Sequence, residues 1–403
     1  MPPMGLNMPD FDFDTPAASA ATEFFTALDR VAGQPDNDRI DHSDENRMLA
    51  TVETIVSVTP VEGADRIELA RVRGWDVVVG KGEFAPGDRC VYFEVDSMLD
   101  VSDPRFADLA TRGVRTDAAG STGHVLKTAA FRGQRSQGLA LPGGRFPEID
   151  LYEIGADVTE LLNVRKWDPP IPPELIGEVR GMRPGWIPRT EAPRLQNSGS
   201  VLDRGGDGWI ATEKIDGESM TVWWTRSGPT VGHSDHGVST RGLDLDLGRS
   251  SRMVAAATRL GLLGEVAALG ELLGARHVAV SGEFYGEGIK RNPLRVQGQH
   301  FAVFRVLVDG QNLPLVADTG IPIYSDQRAS CSVLELAPGL AKLLVPVHDL
   351  EFPTTVDAGL AQVEQLDSLI APGQRAEGVV WRHDATGAVL KAIGNRYLMK
   401  HDQ

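Results

Sequence analysis

Apolar and polar residues alternate along much of the chain after residue 48. Ala50-Thr51-Val52-Glu53-Thr54-Ile55-Val56-Ser57-Val58 nearly alternates, and Arg66-Ile67-Glu68-Leu69-Ala70-Arg71-Val72 does so cleanly. A period of two puts one set of side chains on each face, as in a half-buried strand. Trp75–Gly80 and Arg89–Val95 continue the series around a Pro86-Gly87-Asp88 turn, and His124–Lys127 and Gly138–Pro142 are also strand-like. Short strands at this spacing predict a small β-barrel of the OB type over residues 48–165. Seven prolines (169, 170, 172, 173, 184, 188 and 193) crowd residues 166–194 and predict an extended linker. From 195 to 403 the pattern mixes strands such as Met220–Trp224 with apolar residues at helical spacing around 250–274, which predicts an α+β domain. Residues 1–47 show neither period and predict a disordered acidic extension.

Charge qualifies this picture. The 403-residue chain carries a net charge of −16, of which −7 lies in residues 1–47. An acidic chain is not a general nucleic-acid coat, which is basic. It can still handle nucleic acid in a local basic groove, because contacts depend on local charge. The two cysteines, Cys90 and Cys331, are too far apart for a CxxC site and suit buried thiols in a reducing cytoplasm. No run approaches 18 apolar residues, and the first residues lack a basic stretch followed by an apolar one, so the expectation is a cytoplasmic protein without a membrane partner.

Five segments carry chemistry. In Glu213-Lys214-Ile215-Asp216-Gly217, an uncharged Lys214 is a nucleophile able to attack phosphorus. Asp216, two positions on, shares its face in an extended chain, and Gly217 allows close backbone approach. Glu283 lies in Ser281-Gly282-Glu283-Phe284-Tyr285-Gly286, a strand running into a glycine-rich turn. Phe304 lies in an apolar strand where a ring can stack on a purine. Glu377 opens Glu377-Gly378-Val379-Val380-Trp381, and Lys391 is a lysine inside an apolar strand, a rare placement unless it is paired. Two histidines, His233 and His236, stand in a Gly/Ser loop and receive no ligand role.

In this order, and with Arg241 after the nucleophile, the segments resemble the nucleotidyltransferase motifs of ATP-dependent ligases and capping enzymes. No large segment follows Lys391, and the barrel-like region comes first. Pro188-Arg189-Thr190-Glu191 with Arg194-Leu195-Gln196-Asn197 is similar to the segment that precedes the nucleophile in RNA ligases. Phe131-Arg132-Gly133-Gln134-Arg135-Ser136-Gln137-Gly138-Leu139-Ala140-Leu141-Pro142 resembles the OB module of the Deinococcus-type RNA ligase family.

That resemblance implies an N-terminal OB barrel followed by ATP-grasp-like antiparallel sheets with flanking helices. It implies ATP and Mg²⁺ (or Mn²⁺) as cofactors, and an RNA or RNA-containing duplex as substrate, sealed between 5′-phosphate and 3′-hydroxyl ends. By the same resemblance Lys214 takes up AMP, Glu213 reads the adenine amino edge, and Asp216 and Gly217 belong to the nucleotide site. Arg241 and Glu283 hold the ribose or the 3′-hydroxyl strand, while Phe304 and Val380 sandwich the purine. Glu377, with Glu283, holds the metal, and Lys391 neutralises the α-phosphate. Lys127, Arg132 and Arg135, interleaved with Phe131, are expected to meet nucleic acid. A monomer is the favoured state. The alternatives are a DNA ligase, a capping guanylyltransferase, or a binding protein with an inactive transferase. Two positions depart from the family pattern. Ile393 replaces a second motif V lysine, a contact that Lys400 or Arg396 would have to supply, and Arg305 follows the aromatic in place of Asp.

Overall fold

The computed structural model describes residues 47–170, 175–188, 191–202, 208–226, 234–249, 251–313, 315, 336–383 and 387–401. All but Arg47 of the acidic extension, as well as Cys331 and His233, fall outside them.

The alternating segments after residue 48 form a five-stranded antiparallel sheet in the order Leu139–Pro142, Arg89–Phe93, Ala50–Pro60, Ile67–Val72, Trp75–Gly80. A bulge between Ile55 and Ser57 shifts the register of the long first strand. Bulges bend a strand, so one strand serves two neighbours that diverge, as a barrel requires. The sheet buries residues on both faces: Val91, Phe93 and Leu141 join Phe106 and Phe146 on one side, and Cys90, Tyr92 and Ala140 join Trp75 on the other. Cys90 is a buried free thiol whose pKa burial raises to about 12.

A small four-stranded sheet and a two-stranded hairpin complete the N-terminal half, and two larger sheets build the part after residue 175. One has seven strands in the order Val179–Met182, Leu243–Leu245, Ser234–Ser239, Glu218–Arg226, His277–Gly286, Gln299–Val308, Gln311–Leu313. The helical stretch around 250–274 is two helices, Arg252–Arg259 and Leu262–Leu272, broken at Gly261, which adopts φ +69°. That left-handed backbone costs glycine nothing and costs other residues strain. The helices cover the sheet with Met253, Val254, Leu262, Val266 and Leu269 against Val222, Trp224, Val278 and Val280. No single helix among the described residues is long and apolar enough to cross a membrane.

The second sheet has four strands, in the order Val347–His348, Trp209–Lys214, Gly378–His383, Ala388–Ile393. Its back face buries Ala211, Val379, Trp381, Leu390 and Ala392 against Leu195, Phe352 and the helix Val356–Glu364.

The expected linker is corrected in part. Val179–Met182 is an edge strand of the seven-stranded sheet, paired with Leu243–Leu245. Its prolines flank the strand and do not interrupt its hydrogen bonds, which is where prolines are tolerated. Residues 194–197 close the seam between barrel and transferase. Asn197 accepts from the Trp75 indole and donates to Glu94 (2.9 Å), and Arg71 pairs with Asp357 at 2.6 Å.

Candidate active site

Strand pairing assembles the site. Thr212 is opposite Val380, Lys214 is opposite Gly378, and Val380 is opposite Lys391. Opposed and alternate residues share a face, so Thr212, Lys214, Val380 and Lys391 point to one side of the four-stranded sheet. That side is only half-buried at Lys214, Val380 and Lys391, whereas the other is closed core. A run of 177 residues thus brings the expected nucleophile and the expected phosphate lysine to one wall.

Lys214 Nζ lies 2.7 Å from Glu377 Oε1. Glu377 Oε2 is buried and has no hydrogen-bond partner among the described residues. Gly378, next in sequence, packs so closely that a Cβ would run into the carbonyl oxygen of Ala392. The Glu-Gly pair is therefore one device: glycine lets the strands close, and closure sets the carboxylate beside the amine. Gly217 works likewise, since a Cβ there would meet the Phe284 carbonyl oxygen. Its N–H donates to Glu283 Oε1 at 3.0 Å, tying the nucleophile loop to the large sheet. Burial raises the Glu283 carboxyl to about 7 against the opposing pull of Lys214 and Lys290.

Phe304 reaches the site through a bulge. Ser281 pairs with Arg305 and Gly282 with Val303, so Phe304 is the extra residue. A bulge re-aims the side chain it carries. The ring packs beside Ile215, Ala302 and Val345, next to the nucleophile loop, and stays partly exposed. Arg305, where the family pattern has Asp, is turned into the protein against Ser281 Oγ and the Pro188 carbonyl (both 3.4 Å). Burial, with Arg183 and Arg382 nearby, lowers its pKa to about 10.

Around Lys391 lies an anion flanked by four cations. Glu191 accepts from Lys391 Nζ (2.6 Å), Lys166 Nζ (3.0 Å), Arg241 Nη2 (3.0 Å) and Arg47 Nη1 (3.5 Å). Burial works against its charge, but the four cations overrule it and hold the carboxyl well below the usual range. Lys391 shares that one carboxylate with the others, and burial, with Arg194 and Lys214 nearby, lowers it to about 8. Arg47 and Lys166 come from the barrel side, so Glu191 joins the two halves at the site's edge.

Several expectations are revised. Glu213 lies on the opposite face from Lys214, and its oxygens accept from Ser368 Oγ (2.5 Å) and the Leu369 N–H (2.7 Å), with His348 at 3.3 Å. Strand alternation turns it from the nucleophile's face, and both oxygens are already engaged, so it braces the 368–371 turn instead of presenting free acceptors to a base. Arg135 turns inward, donating to Gln137 at 2.9 Å and lying 3.7 Å from Asp76, whereas Lys127 and Arg132 are exposed. Ile393 is core, and neither alternative replaces the missing lysine. Arg396 points outward and pairs with Glu364 at 3.4 Å, and Lys400 is exposed. Arg241 stands with Glu191, and Glu283 with the Gly217 N–H of the nucleophile loop.

Sequence reading missed Lys290 and Tyr397, which hold Asp216 (Nζ to Oδ1 2.5 Å, hydroxyl to Oδ2 2.9 Å), and the barrel cations Arg47 and Lys166. Only the lysine next to Gly288-Ile289, in a glycine-rich turn, gave a local signal. The others meet through tertiary contacts that no spacing rule encodes.

The metal expected from the sequence can be tested on these groups. Among the described residues no three His, Cys, Asp or Glu side chains converge as a ready-made cage. A Mg²⁺ held by one or two carboxylates, with substrate phosphates and water completing its shell, needs no such cage. The orphaned Glu377 oxygen fits that mode.

Comparison with known proteins agrees with the geometry. A family profile for an OB-fold domain matches residues 49–143, and one for RNA ligase matches residues 207–393. A search of curated proteins found no match. Among solved structures, a variant of Naegleria gruberi RNA ligase with AMP and manganese is 34% identical, with a TM-score of 0.70, over 88% of this chain and 99% of that one. The same ligase with PPi, and a variant with ATP and manganese, each superpose with a TM-score of 0.69 at 34% identity, again over 88% and 99% of the two chains. This chain, an OB-fold barrel joined to a transferase core, belongs to the RNA ligase family.

Proposed function

We propose that this RNA ligase uses ATP and a divalent metal to seal 5′-phosphate to 3′-hydroxyl ends through a lysyl-AMP intermediate, in the repair of nicks or breaks in RNA or RNA-containing duplexes. The observation that carries this reading is Lys214 beside Glu377, 2.7 Å apart, on the sheet face shared with Val380 and Lys391. The ATP and manganese of the related ligase structures support the same cofactors here.

In the first step the neutral amine of Lys214 attacks the α-phosphorus. A nitrogen–phosphorus bond forms, the bond to the β-phosphate oxygen breaks, pyrophosphate leaves with the electron pair, and the proton shed by nitrogen goes to solvent. Lys391, a cation in a half-closed wall, faces the charge that gathers on the α-phosphate. Phe304 and Val380 flank the purine, Glu283 orients the sugar from the nucleophile loop, and Arg241 meets the substrate strand from the Glu191 cluster. When bound, the metal polarises the phosphate oxygens, with Glu377 as its carboxylate anchor and Glu283 beside it. In the second step a 5′-phosphate oxygen displaces Lys214 from AMP, and the amine recovers a proton. In the third, the 3′-hydroxyl attacks that 5′-phosphate, its proton goes to solvent, and AMP departs.

Incubation with α-labelled ATP and Mg²⁺, followed by denaturing electrophoresis, tests the assignment. The wild-type chain is expected to keep the label and Lys214→Ala to lose it. Label retained by Lys214→Ala would sink the role of Lys214. Matched RNA and DNA nicks then test the strand preference.

A further inference from the structure

Three carboxylates, Asp216, Glu283 and Glu377, surround the nucleophile, and Lys214 pairs with only one of them. What keeps Asp216, two residues from Lys214, off the amine is visible in its own contacts. Lys290 Nζ donates to Oδ1 at 2.5 Å, and the Tyr397 hydroxyl donates to Oδ2 at 2.9 Å. Both oxygens are thus engaged by groups other than Lys214. The two donors come from unrelated parts of the chain, the turn after Glu283 and the C-terminal helix Asn395–His401.

Each donor is fixed by its own backbone. Lys290 takes a left-handed conformation, φ +46°. This is uncommon for a non-glycine residue and persists only where the surroundings enforce it. Here the Ile289 N–H donates to the Gly286 carbonyl (3.1 Å), the Asn292 N–H to the Ile289 carbonyl (3.0 Å), and Asn292 Nδ2 to the Val296 carbonyl (2.9 Å). Arg252 also donates to the Gly288 carbonyl. On the other side, Glu364 accepts from the Asn395 N–H (2.7 Å) and the Arg396 N–H (3.1 Å), fixing the start of the helix that carries Tyr397. A half-exposed ion pair adds little to stability. A loop built to hold a lysine at one carboxylate oxygen therefore points to placement as its use.

We propose that Lys290 is a positioning residue for adenylylation, acting through Asp216. It holds that carboxylate away from Lys214, so that the amine stays in line with the phosphorus and is not captured by a second acid. The inference rests on Lys214 being the nucleophile. Without Lys290, Asp216 gains freedom to swing onto the nearest remaining cation, Lys214. Near-attack geometry is sensitive to such shifts, and a displacement of about 1 Å can cost on the order of a hundredfold.

Single-turnover formation of labelled lysyl-AMP, measured against ATP concentration, tests this. Lys290→Met is expected to lower the maximal rate by about tenfold or more while leaving the half-saturating ATP concentration within about twofold, because Lys290 is placed on Asp216 and not on ATP. Lys290→Arg is expected to recover much of the rate. In an Asp216→Asn background, Lys290→Met should add no further loss, since the charge it restrains is gone. An unchanged maximal rate, a loss confined to ATP affinity, or additive losses in the double variant would overturn the proposal. Should Lys290→Met fail to fold by circular dichroism, Tyr397→Phe must show a loss in rate alone, and an unchanged rate there counts against the idea. Absence of label on the wild-type protein would count instead against the ligase reading itself.

Discussion

Lys214 and Glu377 meet across neighbouring strands, nitrogen to oxygen 2.7 Å, while the second Glu377 oxygen is buried without a partner among the described residues. A carboxylate with one oxygen on the nucleophile and one unsatisfied is half of an unfinished site, since buried acceptors normally find donors.

The first prediction follows from that oxygen. Glu377→Gln keeps the size of the side chain but removes the charge that anchors a cation. Adenylylation by the variant is expected to fall by on the order of a hundredfold or more, the scale of losing one preorganised electrostatic group. Chelation of divalent metal should bring wild-type protein to a similarly low rate and should barely affect the variant further. A variant that labels at the wild-type rate in Mg²⁺ would show that Glu377 serves only as the ion-pair partner of Lys214.

Lys391 gives a pH dependence with a definite sign. Burial lowers its pKa to about 8 in the ligand-free protein. Below that value it is an ammonium ready for phosphate, and above it the neutral amine offers no charge. The ATP concentration for half-maximal adenylylation is therefore expected to rise as pH climbs through about 8. Lys391→Arg, charged throughout, should flatten that rise. A profile with the same slope in both proteins would assign the titration to another group.

Much of this architecture is legible in the amino-acid sequence alone. The strand at 75–80 follows directly from alternation, because its buried and half-buried residues alternate, whereas the strand at 89–93 is buried on both faces and reads instead as a short apolar run. Lys391 is readable because a charged residue inside an apolar strand requires a reason, and Lys214 and Glu377 because each stands beside a glycine-marked turn or strand start in an ordered set of motifs. The setting of Glu213 is not, because sequence shows that it neighbours Lys214 but not that the pleat turns it to the other face, where Ser368 and Leu369 wait. Lys290 and Tyr397 are not, because 107 residues separate them and only the closing of the fold brings both to Asp216. The strand at 179–182 is hidden by composition, since prolines around it outweigh its short apolar pattern.

Glu191 yields a stability prediction. Its carboxylate holds Lys391, Lys166, Arg241 and Arg47 together, and Glu191→Gln leaves those charges to repel one another. The group is 20% exposed, so the cost is expected below that of a fully buried pair, roughly 1–3 kcal/mol in denaturant unfolding. Because the folded carboxyl is held below its ordinary value of 4.5, this stability is present above that pH and is lost as pH falls below it. The gap between wild type and variant should therefore close in acid. A gap that is absent at neutral pH, or that widens on acidification, would show that the four cations do not depend on Glu191.

The barrel offers two arginines three positions apart with opposite fates. Arg132 sits exposed at a hairpin turn between Ala129–Phe131 and Gln134–Ser136, whereas Arg135 donates to Gln137 and lies beside Asp76. An exposed cation over a phosphate backbone contributes affinity that salt screens away. Arg132→Ala is therefore expected to weaken binding of nicked RNA duplex and to reduce the slope of log affinity against log salt by about one contact, without changing the unfolding midpoint. Arg135→Ala removes a half-buried guanidinium from its partners and is expected to lower the unfolding midpoint, leaving the salt slope unaltered. Fluorescence anisotropy at several salt concentrations, beside thermal unfolding of both variants, separates the two roles. If Arg135→Ala instead reduces the salt slope while the fold is unaffected, its inward contacts give way on binding and the guanidinium itself reaches the RNA.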